Sequence, residues 1–295
     1  MSAKKVIIEA RLNEWVTREE SPHVPWSPEE IAADARACRE AGASIVHFHV
    51  RRPDGSPSHE PALYAAAVRG IRARSDILIH PTLAGVITAE AAERIAPLEA
   101  LCRDAATRPD FAPMDMGSTN LDVYDAAAKR FRTDRKVYAN SIHTLSFLGE
   151  RIRGAGLKEL LCVWTVPCLR TIDAFLDCGK LAEPALACLV LSEGGIVGGH
   201  PGTAAGLESL LAFMPPHRRI EWSVCCREGN VLPVAMMALA RGGHVSIGLG
   251  DYRYPELGKP TNADLVREVV RLARLVGREP ATPAEARAML GMEAR

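Results

Sequence analysis

Residues 27–51, SPEEIAADARACREAGASIVHFHVR, hold one complete helix-to-strand unit, and the rest of the chain is read outward from it. Ser27 is a natural N-cap, Pro28 suits the first turn and Glu30 completes a capping box. The helix this predicts stops at Gly42, the residue type that tolerates a left-handed C-terminal turn. Residues 44–50 then read as a strand, with β-branched and aromatic residues in sequence. The same alternation recurs from end to end. Further strands are expected at 5–12, 76–80, 111–116, 161–166, 185–191, 220–225 and 245–249, with a helical segment between each pair, the first of these over 61–74. Strands joined by helical crossovers imply a parallel sheet. Eight such units in 295 residues predict an α/β fold, a closed (β/α)8 TIM barrel forming a single domain over 1–295; such a barrel needs roughly 250 residues. A surplus run at 136–140 reads as a small excursion near 130–145. The competing architecture is a doubly wound open sheet. It would want a GxGxxG turn after an early strand, and the chain has none.

Composition narrows the function classes. The 36 Lys+Arg balance 36 Asp+Glu, which argues against nucleic-acid binding and against a field that would steer the protein to a membrane. Apolar residues at 47% and charged residues at 24% are ordinary for a folded domain. No apolar stretch approaches the ~18 residues of a membrane span. Glu9 interrupts the first apolar run too early for a signal peptide, so the expected location is cytoplasmic. Cysteines at 38, 102, 162, 168, 178, 188, 225 and 226 form no CxxC pair, and several lie in apolar runs. They are expected to be reduced, buried thiols.

The chemistry concentrates at strand ends. Side chains alternate along a strand, so His47 and His49 share one face and Phe48 takes the other. Two imidazoles at the end of a barrel strand form half of a metal site, and that end of a barrel is where active sites sit. The spacing alone fits a metal-dependent hydrolase equally well. His80-Pro81-Thr82, Asp115, the run Gly117-Ser118-Thr119-Asn120 and Gly250-Asp251 end other strands, and convergent polar groups suit a small polar substrate. The Gly-rich stretch 194–202 brings backbone close to something, either a phosphate or its own tight turn.

These motifs, taken in order, resemble the β-keto acid cleavage enzymes. The match runs through Pro28-Glu29-Glu30-Ile31, Glu40-Ala41-Gly42-Ala43, His47-Phe48-His49-Val50-Arg51, Gly242-Gly243-His244-Val245, Ile247-Gly248-Leu249-Gly250-Asp251, Thr261-Asn262-Ala263-Asp264-Leu265-Val266 and Gly277-Arg278-Glu279-Pro280. The resemblance implies a Zn2+-dependent barrel, a homotetramer, that condenses a small-molecule β-keto acid with acetyl-CoA to give acetoacetate and a new acyl-CoA. It implies His47 and His49 as zinc ligands, Asp251 as the catalytic aspartate, Thr82 as the substrate hydroxyl, and Ser118 and Glu14 as substrate-binding groups, to which Asn120 at the same strand end is added as a candidate. It also marks two departures. An arginine and a glutamate that the family carries on the last strand are Ser246 and Gly250 here. Glu9 and Arg11 share the face of the first strand that should point into the barrel, next to the last strand. They are therefore expected to replace the missing carboxylate and guanidinium, with Glu228 a second candidate ligand. Glu9 and Arg11 paired only with each other is the alternative. Arg51 or Arg52 at the rim are candidates for CoA phosphates, and Trp15 and Trp26 for shaping the entrance. Against the transferase stand a metal-dependent hydrolase or lyase acting without CoA, and a metal-free barrel that binds an acid.

Overall fold

The computed structural model describes residues 4–14, 16–83, 88 and 90–293. Trp15, one of the two expected entrance residues, lies outside them. Eight parallel strands carry the fold: β1 Ile8–Arg11, β2 Ile45–Phe48, β3 Leu78–Pro81, β4 Phe111–Asp115, β5 Lys158–Val163, β6 Ala185–Ser192, β7 Ile220–Arg227 and β8 His244–Ile247. Their order in the sheet is β3-β2-β1-β8-β7-β6-β5-β4. Helices α1 Pro28–Ala41, α2 Pro61–Arg72, α3 Ala91–Leu101, α4 Ile142–Gly154, α5 Val166–Asp177, α6 Ala204–Leu211, α7 Leu232–Ala240 and α8 Asn262–Leu275 alternate with the strands, and α9 Pro283–Met289 follows. Among the described residues no helix is long and apolar enough to cross a membrane.

The helix α1 forms as its sequence dictates. The Ser27 hydroxyl accepts from Glu30 N–H, the reciprocal bond of the capping box is made, and Gly42 ends the helix at φ 119°. The fifth strand runs earlier than the sequence suggests, because Thr165 sits at the N-cap of α5 and Pro167 in its first turn. The apolar run around Val163 is therefore shared between a strand end and a helix start. All eight cysteines are free thiols, buried except for half-buried Cys102 and exposed Cys178.

Asp110 closes the barrel between β3 and β4. Its N–H donates to Ile79 O at 2.9 Å and its carbonyl accepts from Lys158 N at 3.0 Å. Its buried carboxylate accepts from Ile79 N at 2.8 Å and from Arg72 Nη2 at 2.6 Å, and pairs with Arg287 on α9. A single residue, through its main chain and one side-chain bond, thus bridges β3 and β4 where the two strands no longer pair directly.

The apolar residues split into two shells. Ile8, Ala10, Leu12, Val46, Phe48, Ile79, Met114, Leu161 and Val163 pack outward against the helices. Ile7, Ile45, Leu78, Phe111, Leu160 and Leu186 fill the barrel interior. Alternation then sends Glu9, Arg11, His47, His49, His80, Thr82 and Asp115 inward, farther along the same strands.

The excursion is larger than the sequence shows. Thr119–Asn120 pairs antiparallel with Val137–Tyr138, and Tyr124–Asp125 with Arg130–Phe131. Two-residue strands carry too little pattern to be read in advance. The Gly-rich stretch docks on this excursion: Tyr124 N–H donates to Gly195 O, and a Cβ on Gly198 would overlap the Asn120 carbonyl. The close backbone approach expected of these glycines is thus made to the excursion.

The opposite end of the barrel carries a structural histidine. Buried His244 accepts from Ile7 N–H through Nδ1 and meets Glu221 through Nε2 at 2.9 Å. Burial would raise the Glu221 carboxyl, but His244 and Lys4 outweigh it and hold it at about 2. A depressed carboxyl stabilises the fold above its unfolded value near 4.5, and the gain is lost as pH falls toward 2. Glu221→Gln is expected to cost ~1 kcal/mol at neutral pH after screening at this half-buried position. Urea unfolding at pH 7, 4 and 3 checks this: the difference from the native sequence should shrink at the lowest pH.

Candidate active site

The residues after β1 turn back over the barrel mouth, and this turn builds the site. Asn13, fully buried, accepts from His49 N–H at 2.8 Å and donates through Nδ2 to His49 O at 2.9 Å and Pro25 O at 2.7 Å. It thereby ties the β1 exit to the β2 exit. The next residue, Glu14, places Oε1 at 3.5 Å from His47 Nε2 and 3.4 Å from His49 Nε2, while the two imidazole nitrogens are 3.3 Å apart. Ligand atoms ~2.0–2.1 Å from one tetrahedral ion lie roughly 3.3–3.4 Å from each other, so this triangle fits one face of a metal's coordination shell.

The tautomer fits as well. His47 Nδ1 lies 2.9 Å from the His80 carbonyl, so Nδ1 carries the proton and Nε2 presents its lone pair to the triangle. Burial pushes His47 down to about 3, and His49 is also lowered by burial. Both imidazoles are neutral at physiological pH, the form that binds metal.

Two guanidiniums hold the other Glu14 oxygen. Arg11 Nη2 and Arg227 Nη1 each lie 2.8 Å from Oε2. Arg11 also reaches Asp251, its Nε 2.7 Å from Oδ2, and Arg227 Nη1 stands 3.5 Å from Asp251 Oδ1. The Arg11–Asp251 contact lies off the hydrogen-bond axis, so Arg11 Nε and both Asp251 oxygens are buried without a hydrogen-bond partner among the described residues. Such groups are costly unless something else satisfies them. Burial pushes the Asp251 carboxyl well up; Arg11 opposes this and the adjacent Glu14 charge reinforces it.

Glu9 occupies a deeper layer. Its carboxylate meets His80 Nδ1 at 2.7 Å and accepts from Ser246 Oγ at 2.6 Å, with Arg11 Nη1 at 3.7 Å. Burial opposes its charge, yet the bond to His80 and the neighbouring charges bring it to about 2. Glu9, His47 and His80 also lie close enough to hold an ion. The 2.7 Å spacing of Glu9 and His80 is that of a hydrogen bond, however, shorter than the edge between two ligands of one ion.

Arg11 thus stands at the mouth as the sequence leads one to expect, in register beside β8 through the pairing of Glu9 with Ser246. Three other expectations change. Glu14, expected on the substrate, sits against the histidine pair. Glu228 is exposed at φ 57°, packed at Gly194, and belongs to neither metal-capable cluster. Arg51 is buried rather than free at the rim and donates to three main-chain carbonyls, while exposed Arg52 bonds Glu60 and Pro57 O. Thr82 lies at the β3 exit on the inward face. Ser118 and Asn120 are engaged with the excursion: Ser118 Oγ accepts from Asn140 N–H at 2.8 Å, and Asn120 pairs with Val137. Trp26 stacks under the Arg18 guanidinium, 4.4 Å from the ring centre.

Sequence reading missed Arg227, which inward alternation from Cys225 would have found. It also missed the chain of polar contacts across the mouth. Asp115 accepts from Trp164 Nε1 at 2.7 Å and from Tyr138 Oη at 3.0 Å, and buried Arg94 on α3 donates to that hydroxyl and to Asn140. No local pattern joins α3, the excursion and β5.

The comparisons with known proteins agree over the whole length. The family model of the beta-keto acid cleavage enzymes matches residues 5–292. A 3-keto-5-aminohexanoate cleavage enzyme of Acetoanaerobium sticklandii is 31% identical over 292 residues, covering 98% of this chain and 98% of its own. A 3,5-dioxohexanoate:acetyl-CoA acetone transferase of Paraburkholderia graminis is 27% identical over 288 residues, covering 92% of this chain and 91% of its own. Among solved structures, the binary complex of ObcA with oxaloacetate superposes with a TM-score of 0.71 at 16% identity, covering 92% of this chain and 68% of that one, which shows the shared fold.

Proposed function

The chain belongs to the β-keto acid cleavage enzyme family, and from that premise we propose that it transfers the acyl part of a small β-keto acid to CoA, with acetyl-CoA as co-substrate and acetoacetate as the other product. The observation that carries the reading is the triangle of Glu14, His47 and His49 beside the Arg11–Asp251 contact at the barrel mouth. His47, His49 and Glu14 would hold one divalent ion. Zinc is the metal that two imidazoles and a carboxylate suit. When bound, it supplies a Lewis acid for the β-keto oxygen.

The chain's own residues account for the rest. The carboxymethyl group of the keto acid ends up in acetoacetate. A bond must therefore form between its α-carbon and the acetyl carbonyl of acetyl-CoA as the CoA thiolate leaves, and the bond to the β-carbonyl carbon must break as that thiolate takes the acyl group and the proton returns to the α-carbon. That requires an α-proton to leave. Asp251 is the base we assign to it: burial raises its carboxyl above that of an ordinary aspartate, which makes its ionised form the stronger proton acceptor. Arg11 and Arg227 offer the planar donor forks that match a carboxylate. Thr82 contributes a hydroxyl from the next strand end. The same reading extends to a cytoplasmic homo-oligomer, a tetramer; exposed Phe131, Val137 and Ile142 on the excursion and the start of α4 are surfaces that a second copy would cover.

The test is metal content by mass spectrometry on untagged protein, together with acetoacetate and acyl-CoA formation from a panel of β-keto acids plus acetyl-CoA. About one zinc per chain, lost in His47→Ala, with CoA-dependent acetoacetate is the expected result. Metal-dependent turnover that ignores CoA would replace the transferase with a hydrolase or lyase. No metal and no turnover would leave an acid-binding barrel.

A further inference from the structure

We propose that Arg51 is a positioning residue that presents Glu14 to the metal site, clamping the β1 turn against Gly250 on its other side. The proposal rests on the reading of Glu14, His47 and His49 as the ligand set. Arg51 is 7% exposed. Its Nη2 donates to two successive carbonyls, Asn13 O at 2.9 Å and Glu14 O at 2.8 Å, and its Nη1 to Gly55 O at 3.0 Å. Gly55 is fixed in turn: it lies at φ 83°, and a Cβ there would overlap the Trp26 indole. Two carbonyls converging on one nitrogen set the peptide planes on either side of Glu14, and so the direction in which its side chain leaves the backbone.

Gly250 fixes the turn from the barrel side. Its N–H donates to Arg11 O at 2.9 Å. A Cβ at 250 would stand 2.8 Å from Glu14 N, 3.0 Å from Arg11 O and 3.1 Å from Asn13 N. Main-chain atoms cannot yield as a flexible side chain can, so any side chain at 250 displaces the turn that carries Glu14. The sequence departure at this position thus has a geometric consequence. Without a side chain at 250, the turn closes onto β8, and the carboxylate arrives from β1.

The experiment measures zinc affinity by chelator competition, and the visible spectrum of the cobalt(II)-loaded protein, for the native sequence, Arg51→Met, Arg51→Lys, Gly250→Ala and Glu14→Gln. Arg51→Met is expected to weaken zinc binding by about 10–100-fold, the usual effect of losing a group that orients a ligand, and to alter the cobalt bands. Arg51→Lys should recover part of the loss, because one ammonium can still meet the paired carbonyls. Gly250→Ala should weaken binding through the same turn while leaving Arg51 in place. Affinity is compared only among variants whose circular dichroism matches the native barrel; if Arg51→Met fails that check, the lysine and alanine variants decide. Native affinity and an unchanged cobalt spectrum in the folded Arg51 and Gly250 variants would overturn the proposal. Zinc affinity unchanged in Glu14→Gln would instead overturn the ligand set, and the proposal with it.

Discussion

Glu14→Gln is expected to lose most of its bound metal and to lower kcat/KM by about 10^3-fold. Glu14 Oε1 stands within 3.5 Å of both imidazole nitrogens, and the two histidines alone leave an ion with only two protein ligands. A metal acting as a Lewis acid supplies several kcal/mol of transition-state stabilisation, and ~4 kcal/mol corresponds to roughly a 10^3-fold change in rate. Glu9→Gln is the informative comparison. Its carboxylate is committed to His80 and Ser246, so that variant should keep its zinc. Metal analysis of the two purified variants side by side decides the matter. Zinc retained without Glu14 and lost without Glu9 would move the site to Glu9, His47 and His80.

Asp110→Ala is expected to cause the largest loss of stability of any single substitution considered, about 3–5 kcal/mol. Removing one member of a buried ion pair leaves charge uncompensated at a cost of that order. Here one carboxylate meets Arg72, Arg287 and the Ile79 amide, and its side chain is fully buried. The same substitution removes the side-chain bond to Ile79 N–H at the junction of β3 and β4, while the main-chain bonds of residue 110 remain. In a chain of this size each kcal/mol lowers Tm by roughly 2 °C or somewhat more, so a fall of about 6–15 °C should appear by calorimetry. A fall of only a degree or two would mean that the barrel closes without this residue. Because Asp110 lies at the β4 entrance, far along the strand from the mouth residue Asp115, zinc content in the folded fraction should not change.

Much of the architecture was legible because its signals are local. Ser27, Glu30 and Gly42 announce both ends of α1 through hydrogen bonds that span four residues or fewer. The period-two alternation of His47-Phe48-His49 and of Glu9-Ala10-Arg11 declares which side chains face the barrel interior. The extent of the excursion is not legible in the sequence, because its strands hold two residues each and are recognisable only through their partners. The β5 boundary is not legible either, because an apolar run before Pro167 serves a strand and a helix equally well.

The candidate site divides along the same line. The sequence by itself pointed to a metal site at the barrel mouth: a repeat two residues long puts two imidazoles on one strand face and an arginine on the inward face of the first strand, and the family motifs single out the aspartate after the last strand. It also determined the family, through motifs read in order. Only the tertiary structure decided which carboxylate meets the histidines. Glu9 and Glu14 are both near β1, and the choice depends on Asn13 tying two strand exits together, on Arg51 gathering the carbonyls of the turn, and on Gly250 leaving room beneath it. The same holds for barrel closure at Asp110, where residues from α2, β3 and α9 meet one carboxylate. Those contacts join residues separated by tens to hundreds of positions, and packing around a closed barrel, which no local period records, brings them together.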